Sequence, residues 1–406
     1  ESMQSHISRV SLIDMLTFDR DNFEKSISLT TKKKVLIDSK YNQLKLTDLS
    51  ILLKRGKSAK YGNSKIQIIK SGQARGWFDF DFSEKHYVDE TFVIDERKLV
   101  RGDLLINSTG VGTAGRVTYF GEDGDFVVDS HITIFRPNQN LILPEYALCV
   151  LGVIGFDNIE NMALGQSGQI ELSLDIIGNI KIPVPPIDVQ KQIVEEIGKV
   201  DKSVSNSMLQ INECETNIES LLSSLNFADS MLNTIAPFTT KSIKYSDIES
   251  ETYITTDNML QNKFGIIPFE GGANISSITE YKPEDILISN IRPYLKKIWF
   301  ADKKGGCSKD VLVLRSADTS KYLPKYIFYM LRRDAFFDYV MEGKKGIKMP
   351  RGNKEDILKY RIPIPSINEQ KRIVSQIEAL EMEINNACTT IKNAANEKQI
   401  ILDKYL

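Results

Sequence analysis

The chain has 406 residues, 41% of them apolar and 26% charged, more than one hydrophobic core usually organises, so two to three domains of roughly 100–200 residues each are expected. This composition excludes disorder as the dominant state, and 52 basic against 54 acidic residues removes any whole-chain electrostatic argument for nucleic acid or membrane binding. Cys149, Cys214, Cys307 and Cys388 contain no C-x-x-C pair, so neither a zinc ribbon nor a disulfide framework is indicated. With no apolar run near ~20 residues and no signal pattern, the expectation is a cytoplasmic protein without a membrane partner.

Residues 1–45 read as a preface, with helical patterning around Ser8 to Phe23 and a basic turn at Lys32 to Lys34. Residues 46–186 form a first globular module. Ile66 to Ile69, Phe126 to Val128 and His131 to Phe135 are strand-like, and Pro144 to Leu151 is a helical patch. Gly110-Val-Gly-Thr-Ala-Gly115 spells a dinucleotide fingerprint, but the β-prone Arg116 to Phe120 follows where a helix must open, so a tight loop between strands is predicted. Gly56-Lys-Ser58 mimics the end of a phosphate loop, yet Ile51 stands where the first glycine belongs, and it reads as an ordinary loop.

A long helix is expected over residues 187–230. One heptad phase holds Ile197, Val204, Ile211, Ile218 and Leu225, and the alternate seam holds Ile193, Val200, Ser207, Cys214 and Leu221. A second module covers residues 231–365, with a strand at Val311 to Leu314 and helical patterning over Lys325 to Val340. A second helix over residues 366–406 carries Ile377, Ile384, Ile391, Lys398 and Tyr405, with Ile373, Leu380, Ala387, Ala394 and Ile401. Lys398 is its weak point. The fold class is α+β, with two α/β modules separated by two long antiparallel coiled-coil helices that bury their apolar stripes on each other.

The organising feature is a repeat. Ile182-Pro-Val-Pro-Pro-Ile-Asp-Val-Gln-Lys-Gln-Ile-Val-Glu-Glu-Ile197 and Ile362-Pro-Ile-Pro-Ser-Ile-Asn-Glu-Gln-Lys-Arg-Ile-Val-Ser-Gln-Ile377 share nine of sixteen residues at an offset of 180. That is too long for a solenoid unit and reads as duplication of a domain plus connector. The prolines favour an extended entry, and Asp188 or Asn368 stands at an N-cap position. A fainter echo joins Arg101-Gly-Asp-Leu-Leu-Ile-Asn-Ser108 to Pro283-Glu-Asp-Ile-Leu-Ile-Ser-Asn290, placing Asp103 and Asp285 182 residues apart.

No catalytic or metal constellation is predicted. The chain lacks Asn-Pro-Pro-Tyr and Asp-Pro-Pro-Tyr/Phe loops, and His6, His86 and His131 are scattered, with His131 read as structural. Charge is distributed unevenly. Residues 281–361 carry 19 Lys or Arg against 10 Asp or Glu, whereas residues 46–182 carry 14 against 18 and residues 187–230 carry 3 against 8. In the second module Arg292, Tyr294, Lys296, Lys297, Lys303, Lys304, Lys344, Lys345, Lys348, Arg351 and Asn353 combine cations with polar base-readers, as a DNA surface does; a solvated face is the alternative. In the first the candidates are Lys54, Arg55, Lys57, Lys60, Tyr61, Gln73, Arg75 and Arg116.

The duplicated Ile-Pro-x-Pro-x-Ile-x-x-Gln-Lys-x-Ile-Val helix starts, over residues 46–406, resemble the specificity (S) subunit of type I restriction-modification systems. Gly165-Gln-Ser-Gly-Gln169, Lys348-Met-Pro-Arg351 and Ile288-Ser-Asn-Ile-Arg-Pro293 add to the likeness. The resemblance implies two target-recognition domains, each reading one half of a split, asymmetric double-stranded DNA site, with the helices as a ruler. It also implies two docked methyltransferase (M) subunits similar to adenine N6-methyltransferases and using S-adenosylmethionine, and ATP/Mg-dependent restriction (R) subunits. This chain itself would carry no cofactor and no catalysis. The preface departs from the family pattern, and Ile37-Asp-Ser-Lys-Tyr41 also resembles the junction in a fused, type II-like restriction-methyltransferase. That fusion, and a coiled-coil adapter without DNA binding, are the competing readings.

Overall fold

The computed structural model describes residues 16–18, 25–27, 37–163, 170–272, 275–346 and 348–406. The chain divides into two compact units, residues 1–205 with 390–406, and residues 206–389. The two long helices run Ile187–Ser223 and Ile367–Tyr405, so each contributes residues to both units.

In the first unit a four-stranded antiparallel sheet is ordered Ser50–Arg55, Ile132–Pro137, Leu104–Asn107, Val117–Tyr119. The period-two alternation of a strand gives it two apolar faces. Leu104, Ile106 and Phe135 pack with Tyr146, Ala147 and Val150 of the helix Pro144–Ile154. Leu105, Ile132 and Ile134 pack with Ile69 and Val128, from the parallel pair Gln67–Ile69 and Phe126–Val128.

The second unit repeats the plan with a three-stranded sheet ordered Ile298–Phe300, Ile286–Ser289, Val311–Leu314. Ile286, Ile288, Leu312 and Leu314 face Tyr326, Ile327 and Phe336, while Leu287, Val311 and Val313 face Met259, Tyr281 and Cys307. A second sheet is ordered Ser242–Lys244, Ser277–Tyr281, Gly305–Cys307, Tyr253–Ile254.

The seam is present within each unit. In the first, Ile193 and Ile197 share a core with Leu402 and Leu406, and Glu196 and Asp201 pair with Lys404 at 2.8 Å and Lys398 at 2.5 Å. In the second, Leu222 shares a core with Ile373, Val374 and Ile377, and Glu383 accepts from Gln210 at 3.2 Å. Helix segments in both units therefore run antiparallel. Val204, Ile211, Ile218, Ile384 and Ile391 on one seam phase, and Val200 and Leu380 on the other, are half-buried.

The repeated residues make repeated bonds. Gln190 is fully buried; its side-chain amide donates to the carbonyls of Leu141 and Pro185 and its oxygen accepts the Leu143 N–H. Gln370 does the same with Lys321, Pro365 and Leu323. Tyr146 and Tyr326 hydroxyls donate to the carbonyls of Pro183 and Pro363. Asp103 and Asp285 are buried carboxylates that accept two bonds each, from Arg136 and Arg315 respectively. The faint echo around Asp103 and Asp285 thus marks one buried ion pair built twice.

Four expectations need correction. The long helices begin at Ile187 and Ile367, so Asp188 and Asn368 stand inside the first turn and not at the N-cap. Leu16–Phe18 is a strand antiparallel to Lys25–Ile27, not helix, because cross-strand backbone pairing overrides a weak helical period; Lys32 to Lys34 and the remaining preface residues up to 36 lie outside the described residues. The first long helix ends at Ser223, and Asp229–Met231 pairs instead with Arg361–Pro363. The helix expected over Lys325 to Val340 is two helices, Pro324–Arg332 and Asp334–Glu342. Arg333 breaks it with an extended ψ of 149°, its guanidinium drawn to Glu219 and Ser223.

Candidate nucleic-acid interface

Two loops of the second unit that are some 55 residues apart in sequence lie side by side. Ile291 bridges Arg351, the Arg292 N–H donates to the Pro350 carbonyl, and the Gly352 N–H donates to the Asn290 carbonyl. This joins residues 290–297 to residues 344–353. Arg292, Tyr294, Lys344, Lys345, Lys348 and Arg351 all have exposed side chains. Among the described residues no carboxylate pairs with Arg292, Lys344, Lys345 or Lys348, so these charges face solvent. Arg351 is partnered by Asp310 at 3.0 Å and remains 54% exposed.

Lys296, Lys297 and Asn353 serve structure. Lys296 pairs with Asp334 at 3.0 Å. The Lys297 ammonium donates to the Thr256 carbonyl at 2.6 Å, and burial pulls its pKa below the ordinary lysine value. Asn353 caps the short helix Lys354–Ile357, accepting the Glu355 N–H. Lys303 and Lys304 stand in the exposed turn before Gly305–Cys307.

A third loop joins the surface and was not singled out from sequence. Met259 bridges Ile266, and at the hairpin tip the Asn262 and Lys263 N–H groups donate to the carbonyls of Leu295 and Lys296. Asn262, Lys263, Arg292 and Lys296 all adopt left-handed φ between 49° and 69°. Such strain in non-glycine residues collects where surrounding structure enforces a geometry. Asn262 and Gly265 flanking Lys263-Phe264 are a turn signature that could have revealed the loop; its lack of a basic run hid it.

In the first unit the corresponding loop is the glycine-rich one. It links Leu104–Asn107 to the antiparallel Val117–Tyr119, as predicted, and Gly110, Gly112 and Gly115 take φ of 90°, 76° and 94°. A Cβ on Gly115 would stand 2.9 Å from the Glu160 backbone nitrogen. Thr109 bridges Glu171 as Ile291 bridges Arg351, and Ser173 caps Leu174–Gly178 as Asn353 caps its helix. The segment Gly165 to Gln169 lies outside the described residues.

Cations in this unit are mostly spent on carboxylates. Lys54 pairs with Glu96 and Lys57 with Asp95, both at 2.5 Å, Arg55 with Glu171 at 3.0 Å, and Arg75 with Asp81 at 2.7 Å. Hydrogen bonds from Ser83 and Arg75 hold the Asp81 carboxyl down at about 2. Gln73 is buried, its amide donating to the carbonyls of Asp81 and Glu84, so it has no group left for a base. Arg116 donates to the Gly112 carbonyl and lies 5.7 Å from the Phe156 ring. Lys60 and Tyr61 are exposed, and His131 bonds Thr109 at 2.8 Å.

Two copies of one α+β module, each entering a long helix through the same glutamine, define a duplicated recognition scaffold. The sequence matches the type I restriction modification DNA specificity domain over residues 39–215 and again over 234–396, and the chain belongs to that family of specificity subunits. The EcoDI type I restriction enzyme specificity subunit of Escherichia coli is 29% identical over 121 residues, 28% of this chain and 26% of that one, so the match spans about a quarter of that relative. The putative MjaX type I restriction enzyme specificity subunit of Methanocaldococcus jannaschii is 24% identical over 375 residues, covering 83% and 85% of the two chains. The fold is similar to the type I restriction-modification S subunit of M. genitalium, with a TM-score of 0.55 at 13% identity, covering 92% of this chain and 98% of that one.

Proposed function

We propose that this chain is the non-catalytic specificity subunit of a type I restriction-modification complex, in which each module reads one half of a split duplex DNA site. Two methyltransferase subunits using S-adenosylmethionine, and restriction subunits using ATP and Mg, would supply the chemistry in the cytoplasm. One observation carries the reading. The same loop position is occupied by Glu171 in one module and Arg351 in the other, so two frameworks of one plan present unlike chemistry, as two different half-sites require. The solvent-facing cations beside Arg351 support phosphate contact, and the matching helix entries support pseudo-symmetric docking of two copies of one partner.

Gel-shift of the chain assembled with its methyltransferase subunits, across a salt titration, tests this. Steep weakening with salt and preference for one duplex are expected, because neutralised phosphates release counterions. Assembly with partners but no DNA affinity would leave an adapter.

A further inference from the structure

We infer that the hairpin tip Gln261–Phe264 is a base-reading element of the second module and takes an A·T pair, an inference that rests on the DNA-recognition reading above. The tip is held rigid from below and from the side. Beneath it Asn258 is 5% exposed; its amide donates to the carbonyls of Tyr253 and Ile267 at 3.0 Å each, and its oxygen accepts the Thr255 N–H at 2.7 Å. Beside it the two backbone bonds from Asn262 and Lys263 tie it to Leu295 and Lys296. Asp334 accepts both Lys263 at 2.5 Å and Lys296 at 3.0 Å, so one carboxylate clamps both loops. Burial raises that carboxyl's pKa, but the two lysines outweigh it and hold it low.

What the clamp leaves outside is chemically selective. Gln261 and Asn262 are exposed and Phe264 is 76% exposed, an unfavourable place for an aromatic ring, which has no ring partner among the described residues. Gln and Asn amides match the donor and acceptor pair of adenine in the major groove, and an apolar ring matches the thymine methyl. Asp334 offsets one of the two lysine charges and holds both ammonium groups to itself, so the exposed amides and ring of the tip are offered to base edges, and Lys344, Lys345 and Lys348, which have no carboxylate partner among the described residues, to phosphates. Asp334 is a positioning residue here. Rigid placement of neutral amides beside a free cationic strip is the division of labour that sequence reading requires.

The test uses the complete complex with methyltransferase subunits and duplexes carrying every single base-pair change in the second half-site. Gln261→Ala and Phe264→Ala should each relax discrimination at one A·T position by about tenfold to a hundredfold, with the first half-site and the salt slope unchanged. Asp334→Asn should blur the same position and Asp334→Glu restore it, a split that a merely stabilising residue would not give. Unaltered discrimination in variants with the parent melting midpoint would overturn the inference while leaving the recognition reading intact. A parent complex indifferent to every base change would overturn both.

Discussion

Lys398 holds its ammonium 3.7 Å from the centre of the Trp77 ring while pairing with Asp201 at 2.5 Å. The residue that interrupts the apolar stripe of the second helix is therefore a tether to the first module, with 12% of its side chain exposed. Trp77 itself takes a left-handed φ of 54° and packs where a Cβ on Gly152 would lie 2.6 Å from the ring.

Replacing Lys398 by Met should destabilise the chain by about 1–2 kcal/mol, the range of a desolvated cation–π contact. Gly152→Ala, which overfills the same place, should cost about 1–3 kcal/mol. Denaturant midpoints of the full chain decide it, and a Lys398→Met chain as stable as the parent would remove the tether from the account.

Gln190→Ala and Gln370→Ala each strand a part-buried N–H, a part-buried carbonyl and a buried one, so a loss of about 1–3 kcal/mol is expected for either. Glu at the same place keeps an acceptor but discards the donors and buries a charge, so it should be worse at neutral pH than in acid, where the carboxyl carries a proton. Equal midpoints for all these chains would mean that water replaces the bonds.

Solvent-facing and structurally employed cations should separate in DNA binding. Lys344→Ala or Lys348→Ala should lower the salt slope by about one unit with little sequence dependence, and Arg292→Ala or Arg351→Ala should cost about 1–3 kcal/mol if a base is contacted. Gln73→Ala should lower stability and leave DNA discrimination alone. A Gln73 variant with relaxed specificity and parent stability would reverse that assignment.

Adding or removing a helical segment between Ser205 and Leu209, which lie inside the first long helix, should change the number of unspecified base pairs between half-sites. Successive faces of one groove recur every ~34–36 Å, so helix length is an apt ruler. Mapping of methylated adenines reads the outcome directly. Methylation at the parent spacing in every length variant would end the ruler proposal.

Much of this was legible because it is periodic or repeated. The seam from Ile193 to Ile218 follows heptad spacing, and the two glutamine-bearing entries are nearly the same sentence written twice. The glycine-rich loop was legible because β-branched Val117 and Thr118 follow it. What could not be read is how polar groups are spent. Gln73 and Gln261 are the same residue type, but one is consumed by the carbonyls of Asp81 and Glu84 and the other is exposed on a hairpin tip. Lys54 and Lys344 look equally basic until the fold brings Glu96 to the first. Long-range pairing, not local composition, decides which charges remain available.

Because each rod begins with a glutamine hydrogen-bonded to main-chain atoms alone, that polar part of its seat places no demand on the side chains at the bonded positions of the preceding module. Exchange of genetic material at the two proline-rich entries would then graft a foreign reader onto an unchanged mount. Under the proposed function such a graft would give a new address in a single step, provided that it supplied apolar surface for Ile193 and Ile197 or for Ile373 and Ile377.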